Sequence, residues 1–387
     1  MLIPSSLRNP ALSLLALTFL FVSPGCSESP VEKSTKTQEV VPLWGDAPNE
    51  RPSCVRGIHL TSWFTGSRKG REHFEKLLAE TELNTVAIDI KESEGDVYIP
   101  GVSLDGKSNY VAAVRDLKDY VAFLKARGVY TIARVVVFHD NRLAKQKPDW
   151  AVRSSQPIPK AVEKGYRPDV WVDKKGSAWA DPTNPHVWDY NIDIALKAVE
   201  LGFQEIQFDY IRFPSDGPTK LCVYSKPISR AAAAETLAKF LDRARKKLNA
   251  KGVELSIDVF GLAGSSDDGL GIGQRLSVLV PHVDIVSPMM YPSHYAPGEY
   301  GIKSPNNSPY ETVYRSISDT KKTMKGSTAQ LRPYLQDFSL GVKYTGKHVR
   351  DQINAANDLG IHEWLLWNPA CRYTRDGLLP TKEAPKN

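Results

Sequence analysis

The chain predicts a (β/α)8 barrel with a long insertion after its third strand. Three observations carry that expectation. Eight short segments with a two-residue apolar period alternate with amphipathic helical segments along one continuous stretch. The first strand lacks the Gly-x-Gly-x-x-Gly that a doubly wound nucleotide-binding sheet carries there. The polar residues of the strands collect at the strands' C-terminal ends, where a barrel of this kind holds its chemistry.

The predicted order runs from residue 57. Strands fall at 57–62, 84–90, 130–137, 205–209, 254–259, 283–287, 330–335 and 362–367. Helices fall at 70–82, 110–127, 185–201, 230–250, 270–279, 308–324 and 346–359. In the helix at 110–127, Val114, Leu117, Val121 and Leu124 recur at the spacing of one buried face. Residues 138–183 are polar and form the insertion.

The N-terminus reads as a targeting segment. Arg8 precedes an apolar run from Ala11 to Val22, too short to span a bilayer comfortably. Ser23-Pro-Gly-Cys26 then resembles a lipoprotein processing site, with Cys26 as the lipidated residue and Ser23 where leucine is usual. An ordinary secretory peptide cleaved near Gly25 is the competing expectation. Residues 27–52, rich in Ser, Thr, Glu, Lys and Pro, read as a disordered tether to a barrel spanning 53–380. These features predict an exported, cell-envelope protein that meets the membrane only through its lipid.

The formal net charge of +6 is spread along the chain, with no basic block interleaved with aromatics, so nucleic acid is not an expected partner. Cys54, Cys222 and Cys371 allow at most one disulfide, without indicating which pair. No Cys-x-x-Cys or paired-His spacing points to a metal, and no cofactor is expected. A metal-dependent hydrolysis using Asp89, Asp209 and His139 is disfavoured by their scattered spacing.

The segment Gln204 to Pro214 is the most informative. Ile206 and Phe208 alternate with Gln207 and Asp209, so an apolar strand ends on a carboxylate. A buried acid costs stability unless it is paired or has a function. Asp258 closes the fifth strand in the same way. Neighbouring strands lie about 4.8 Å apart, close to the roughly 5–5.5 Å between the carboxyl groups of a retaining glycosidase. Asp209 is therefore the expected nucleophile or key stabiliser and Asp258 the expected acid/base. Asp89 and Lys91 close the second strand and read as an ion-paired, substrate-binding couple. Arg134 and Arg212 are expected to orient carboxylates or bind sugar hydroxyls, with Arg212 organising Asp209. Tyr291, Gln336, Trp367 and Asn368 complete the expected substrate-binding set, and His294 follows in a loop over the same face.

The motifs Arg56-Gly-Ile-His-Leu-Thr-Ser-Trp63, Val86-Ala-Ile-Asp-Ile-Lys91, Ala180-Asp-Pro-Thr-Asn-Pro185, Gln207-Phe-Asp-Tyr-Ile-Arg-Phe-Pro214 and Ser287-Pro-Met-Met-Tyr-Pro292 resemble those of the glycoside-hydrolase-like family DUF4015. The resemblance runs from about residue 55 to 375. It implies a (β/α)8 hydrolase of polysaccharide or oligosaccharide linkages, with Asp209 at the family's strand-four acid. The assignment of Asp258 rests on position alone. The rival expectation is a cell-surface barrel that binds carbohydrate without cleaving it. Its acids would point apart.

Overall fold

The computed structural model describes residues 50–381. The signal segment, Cys26 and nearly all of the tether lie outside the described residues. Eight parallel strands close into a barrel: β1 (Arg56–Leu60), β2 (Thr85–Lys91), β3 (Tyr130–Val136), β4 (Glu205–Asp209), β5 (Glu254–Phe260), β6 (Ile285–Met290), β7 and β8 (Trp364–Trp367). β7 comes in two pieces, Gln330–Leu331 and Tyr334–Gln336. Pro333 breaks it because proline has no N–H to give to the ladder. Pairing of β1 with β8, Gly57 opposite Leu365, completes the ring.

Strand parity sorts the side chains. Val86, Ile88, Ala133, Val135, Ile206, Phe208, Leu255, Ile257, Val286 and Leu366 point outward into the apolar layer beneath the helices. Ala87, Ile132, Tyr334 and Leu365 point inward and form a smaller cluster in the lumen. The lumen also holds charge. Arg332 donates to Glu205 at 2.9 Å, and Tyr334 Oη donates to Gln207 Oε1 at 2.7 Å. Buried charges persist only when paired in this way.

The outer layer comprises α1 (Arg68–Glu80), α2 (Leu117–Lys125), α3 (Pro185–Glu200), α4 (Ala233–Asn249), α5 (Pro309–Thr323) and α6 (Gly346–Asp358). α3 starts as its sequence dictates. Asn184 caps it by accepting from His186 N at 2.9 Å, and Pro185 occupies the first turn. The preceding Asp181 accepts from Thr183 N at 2.8 Å and from Ser225 N at 2.5 Å. The Ala180 to Pro185 motif thus ties the insertion to the loop after β4.

Two elements differ from expectation. The helix predicted from residue 110 begins only at Leu117. Tyr110 bridges Val97, and Val111 N donates to Val97 O at 2.8 Å, so this stretch belongs to a second excursion, 92–116, after β2. The helix predicted at 270–279 shrinks to Leu276–Leu279. Gly269, Gly271 and Gly273 all hold positive φ and break the run. The insertion after β3 is present and carries its own small core of Ala144, Ala161, Tyr166 and Val172. Cys222 and Cys371 carry free thiols. No helix of the described residues is long and apolar enough to cross a membrane.

Candidate active site

The C-terminal ends of β3 to β8 open into a cavity of about 520 Å³ whose lining includes Arg134, Asp209, Arg212, Asp258, Tyr291 and Trp367. Its centre is one guanidinium. Arg134 rises from β3 and donates through Nη1 to Asp89 Oδ1 at 2.5 Å and through Nη2 to Asp209 Oδ2. Its Nε lies 3.7 Å from Asp258 Oδ2. Three acidic side chains from three strands therefore meet one cation, which lies 5.0 Å over the Trp367 ring.

Asp209 closes β4 and is nearly buried. Its second oxygen accepts from the Tyr210 amide at 2.5 Å. That contact needs a reversed backbone, and Tyr210 sits at φ 55°, in the left-handed region. Such strain costs on the order of 1–3 kcal/mol and clusters at functional sites. The same turn stacks the Tyr210 ring on His139 at 5.1 Å.

Asp258 lies level with Asp209, because Phe208 pairs with Ile257 one residue earlier. It is 1% exposed, and its Oδ1 has no hydrogen-bond partner among the described residues. Burial, followed by the Asp209 charge, pushes its carboxyl well above the usual range, against the pull of Arg134. The ionised form of Asp258 is thus disfavoured, beside an acid that accepts a charge-assisted hydrogen bond. Among the described residues no group of His, Cys, Asp and Glu is arranged to hold a metal ion.

Asp89 sits under the cavity rather than on its surface. Burial opposes its ionisation, but His59 at 2.9 Å and Arg134 outweigh that and hold its carboxyl below the usual range. Its expected partner, Lys91, is elsewhere. The β2–β3 register slips between Asp89 and Lys91, so Lys91 pairs with Val135 and turns out of the lumen. Lys91 is fully buried in the wall, 2.7 Å from Asp140 and donating to Val136 O at 2.7 Å. Lys91→Met is expected to lower stability by roughly 3–5 kcal/mol, the penalty for stranding a buried charge. The folded fraction should keep its kcat/KM. Thermal melts and kinetics check both, and a selective rise in KM would return Lys91 to the substrate.

The other expected residues divide. Tyr291 and Trp367 line the cavity, as does His294. Arg212 lines it too, but its hydrogen bonds go to Phe213 O and Ser215 Oγ, so Arg134 takes the organising role expected of Arg212. Gln336 is fully buried, accepting from Ser293 N at 3.0 Å and donating to Phe338 O at 2.8 Å. Asn368 donates to Arg372 O at 2.6 Å and accepts from Ala370 N at 2.9 Å. Both hold loops in shape behind the cavity.

Sequence reasoning missed several groups. His59 stacks on Trp367 at 3.9 Å, and its inward parity on β1 was the available signal. Gln274 joins two cavity loops, accepting from Phe260 N at 2.9 Å and donating to Ile211 O at 3.2 Å. Nothing in its glycine-rich context marked it. Glu92, just past β2, accepts from Tyr98 Oη at 2.6 Å, and burial together with the Asp89 charge pushes it up to about 7.

The fold has known counterparts. The glycoside hydrolase domain of PgaB (BpsB) from Bordetella bronchiseptica superposes with a TM-score of 0.60, over 83% of this chain and 95% of that one, at 13% identity. Alpha-L-fucosidase isoenzyme 2 from Paenibacillus thiaminolyticus gives 0.51, over 83% and 47%, at 16% identity. At such identities the likeness is one of fold. A hypothetical protein from Ruminiclostridium thermocellum ATCC 27405 is 32% identical over 52% of this chain and 97% of its own, with a TM-score of 0.44. Among curated proteins none matches. The motifs on the strand ends lie within the matched span 57–373, and the chain belongs to the family DUF4015, described as "Putative glycosyl hydrolase domain".

Proposed function

We propose that the protein is a retaining glycoside hydrolase acting on a polysaccharide or oligosaccharide. One observation carries the proposal: two carboxyl groups stand level on adjacent strands in one cavity, one bonded to a cation and a backbone amide and the other buried with an oxygen that has no hydrogen-bond partner among the described residues. Asp209 is fixed by Arg134 and the Tyr210 amide, with its face to the cavity. It attacks the anomeric carbon. Asp258, protonated through burial, gives its proton to the leaving oxygen and then takes one from water. Adjacent strands about 4.8 Å apart are compatible with the roughly 5–5.5 Å between the carboxyl groups of a retaining pair. Trp367, Tyr291 and Tyr210 line the cavity with aromatic surface suited to a sugar. A glycan-hydrolysis screen of wild type beside Asp209→Asn, with the product anomer followed by NMR, tests the proposal. Equal sugar release by both proteins, or an inverted product, sinks it.

The state of Asp258 has a cost that can be measured. Its folded pKa lies above the unfolded value of about 3.9. The native state then binds more protons than the unfolded one, so this group lowers stability as pH rises from about 4 towards its folded pKa. Asp258→Asn does not titrate. The variant should be nearly inactive towards natural glycans, yet more stable than wild type at pH 7, with the gap closing near pH 4. Melting curves across that range check it, and a pH-independent gap counts against the buried neutral acid.

A further inference from the structure

Arg212 differs from the other buried arginines of the barrel. Arg134 meets three carboxylates, and Arg332 donates to both oxygens of Glu205. Arg212 is also buried, at 9% exposed, and lines the cavity with Asp209. Among the described residues it forms no ion pair. Only Nη1 is engaged, with Phe213 O at 3.3 Å and Ser215 Oγ at 3.1 Å. The fork is held in place by rings, with its central carbon 4.6 Å from Trp179, 4.9 Å from Phe260 and 5.0 Å from Tyr210. Aromatic faces hold a cation but accept no strong hydrogen bond from its edge.

The nearby acids are already committed. Asp209 is taken by Arg134 and the Tyr210 amide. Asp173 lies 3.6 Å from His139 and accepts from the amides of Lys175 and Ser177 at 2.9 Å. Asp209, Asp216 and Asp173 act on Arg212 as charges through space, and none of them forms a hydrogen bond or ion pair with it.

We propose that Arg212 is the subsite for an anionic group, a carboxylate or a sulfate, on the sugar at the scissile bond, so that the substrate is an acidic glycan. This rests on the glycoside hydrolase reading above. For the Arg212 guanidinium burial outweighs the attraction of the carboxylates around it, none of which bonds to it, and a neutral hydroxyl would add no charge to offset that cost. The planar fork lines the cavity with Nε and Nη2 unbonded among the described residues, and such a fork matches the two oxygens of a carboxylate or a sulfate. The surrounding rings exclude water and strengthen the attraction.

The test uses the full chain and matched substrates. Oligogalacturonides and oligoglucuronides are each paired with their carboxyl-reduced forms, and sulfated galactan oligosaccharides with their desulfated forms. Wild type is expected to favour one acidic member over its neutral partner by about 10–100-fold in kcat/KM. The preferred pair identifies the anion. Arg212→Gln should erase that preference by losing activity on the acidic member alone, and Arg212→Lys, which keeps the charge but not the fork, should retain part of it. Equal rates on both members of every pair, or an Arg212→Gln loss that is the same for both, would overturn the proposal. If no glycan is cleaved, binding decides. Quenching of tryptophan fluorescence by the acidic member and not by its neutral partner, lost in Arg212→Gln, supports the subsite while the hydrolase reading falls. Absence of such selective binding overturns the subsite as well.

Discussion

Asp209→Gly is expected to lower kcat on a cleavable glycan by at least about 10⁴-fold, the scale on which removing a reacting group acts. Added azide should restore turnover of an activated aryl glycoside and give a glycosyl azide of inverted configuration. The small anion then occupies the space left by the carboxylate and attacks in its place. Asp258→Gly tests the other role. It should keep substantial activity on substrates whose leaving group needs no proton, and azide should give the retained configuration. The paired stereochemical outcomes assign nucleophile and acid independently of the size of either rate loss. Azide rescue of neither variant would leave the cavity as a binding site only.

The second large effect concerns stability. Arg134→Met removes the cation that Asp89, Asp209 and Asp258 share. Breaking a buried pair from one side costs roughly 3–5 kcal/mol, because the remaining charge is stranded. The loss should depend on pH in a defined way. Asp89 has a depressed folded pKa in the wild type. It therefore contributes stability that is present above its unfolded value, about 3.9, and lost as pH falls through its folded one. In Arg134→Met the part of that contribution due to Arg134 is lost while His59 still acts on Asp89, so the difference from wild type is largest at neutral pH and narrows below about pH 4. Denaturant melts at several pH values measure it. A loss unchanged by pH would mean that Arg134 acts through packing alone. Arg134→Lys keeps the charge but not the three-way fork and should fall between the two.

The barrel and its polar end were legible in the sequence because strand parity is a strictly local signal. Ile206 and Phe208 face the helices while Gln207 and Asp209 face the lumen, and no distant contact is needed to predict it. The same rule placed Arg134 and Asp258 inside. It failed at Lys91, where a register slip in β2 reverses the side chain, and such a slip has no signature in residue type. It also said nothing of which loops return over the cavity. Gln274 and Phe260 reach it from a segment shaped by three glycines, whose backbone angles a pattern of apolar residues does not encode. Arg212 follows Asp209 closely in sequence. The reversed φ of Tyr210 sends the two side chains to different partners.

The guanidinium of Arg134 also carries a timing consequence. In the proposed cycle Asp209 becomes an ester, and its negative charge disappears. That charge is the second largest cause holding the Asp258 proton in place. Its removal leaves Arg134 with fewer acids to serve, at 3.7 Å from Asp258 Oδ2. Asp258 then becomes easier to ionise at the moment when the second half of the reaction needs a base. The first covalent step would itself reset the proton donor as an acceptor. A single shared cation thus lets one chemical event prepare the next, with no movement of the chain.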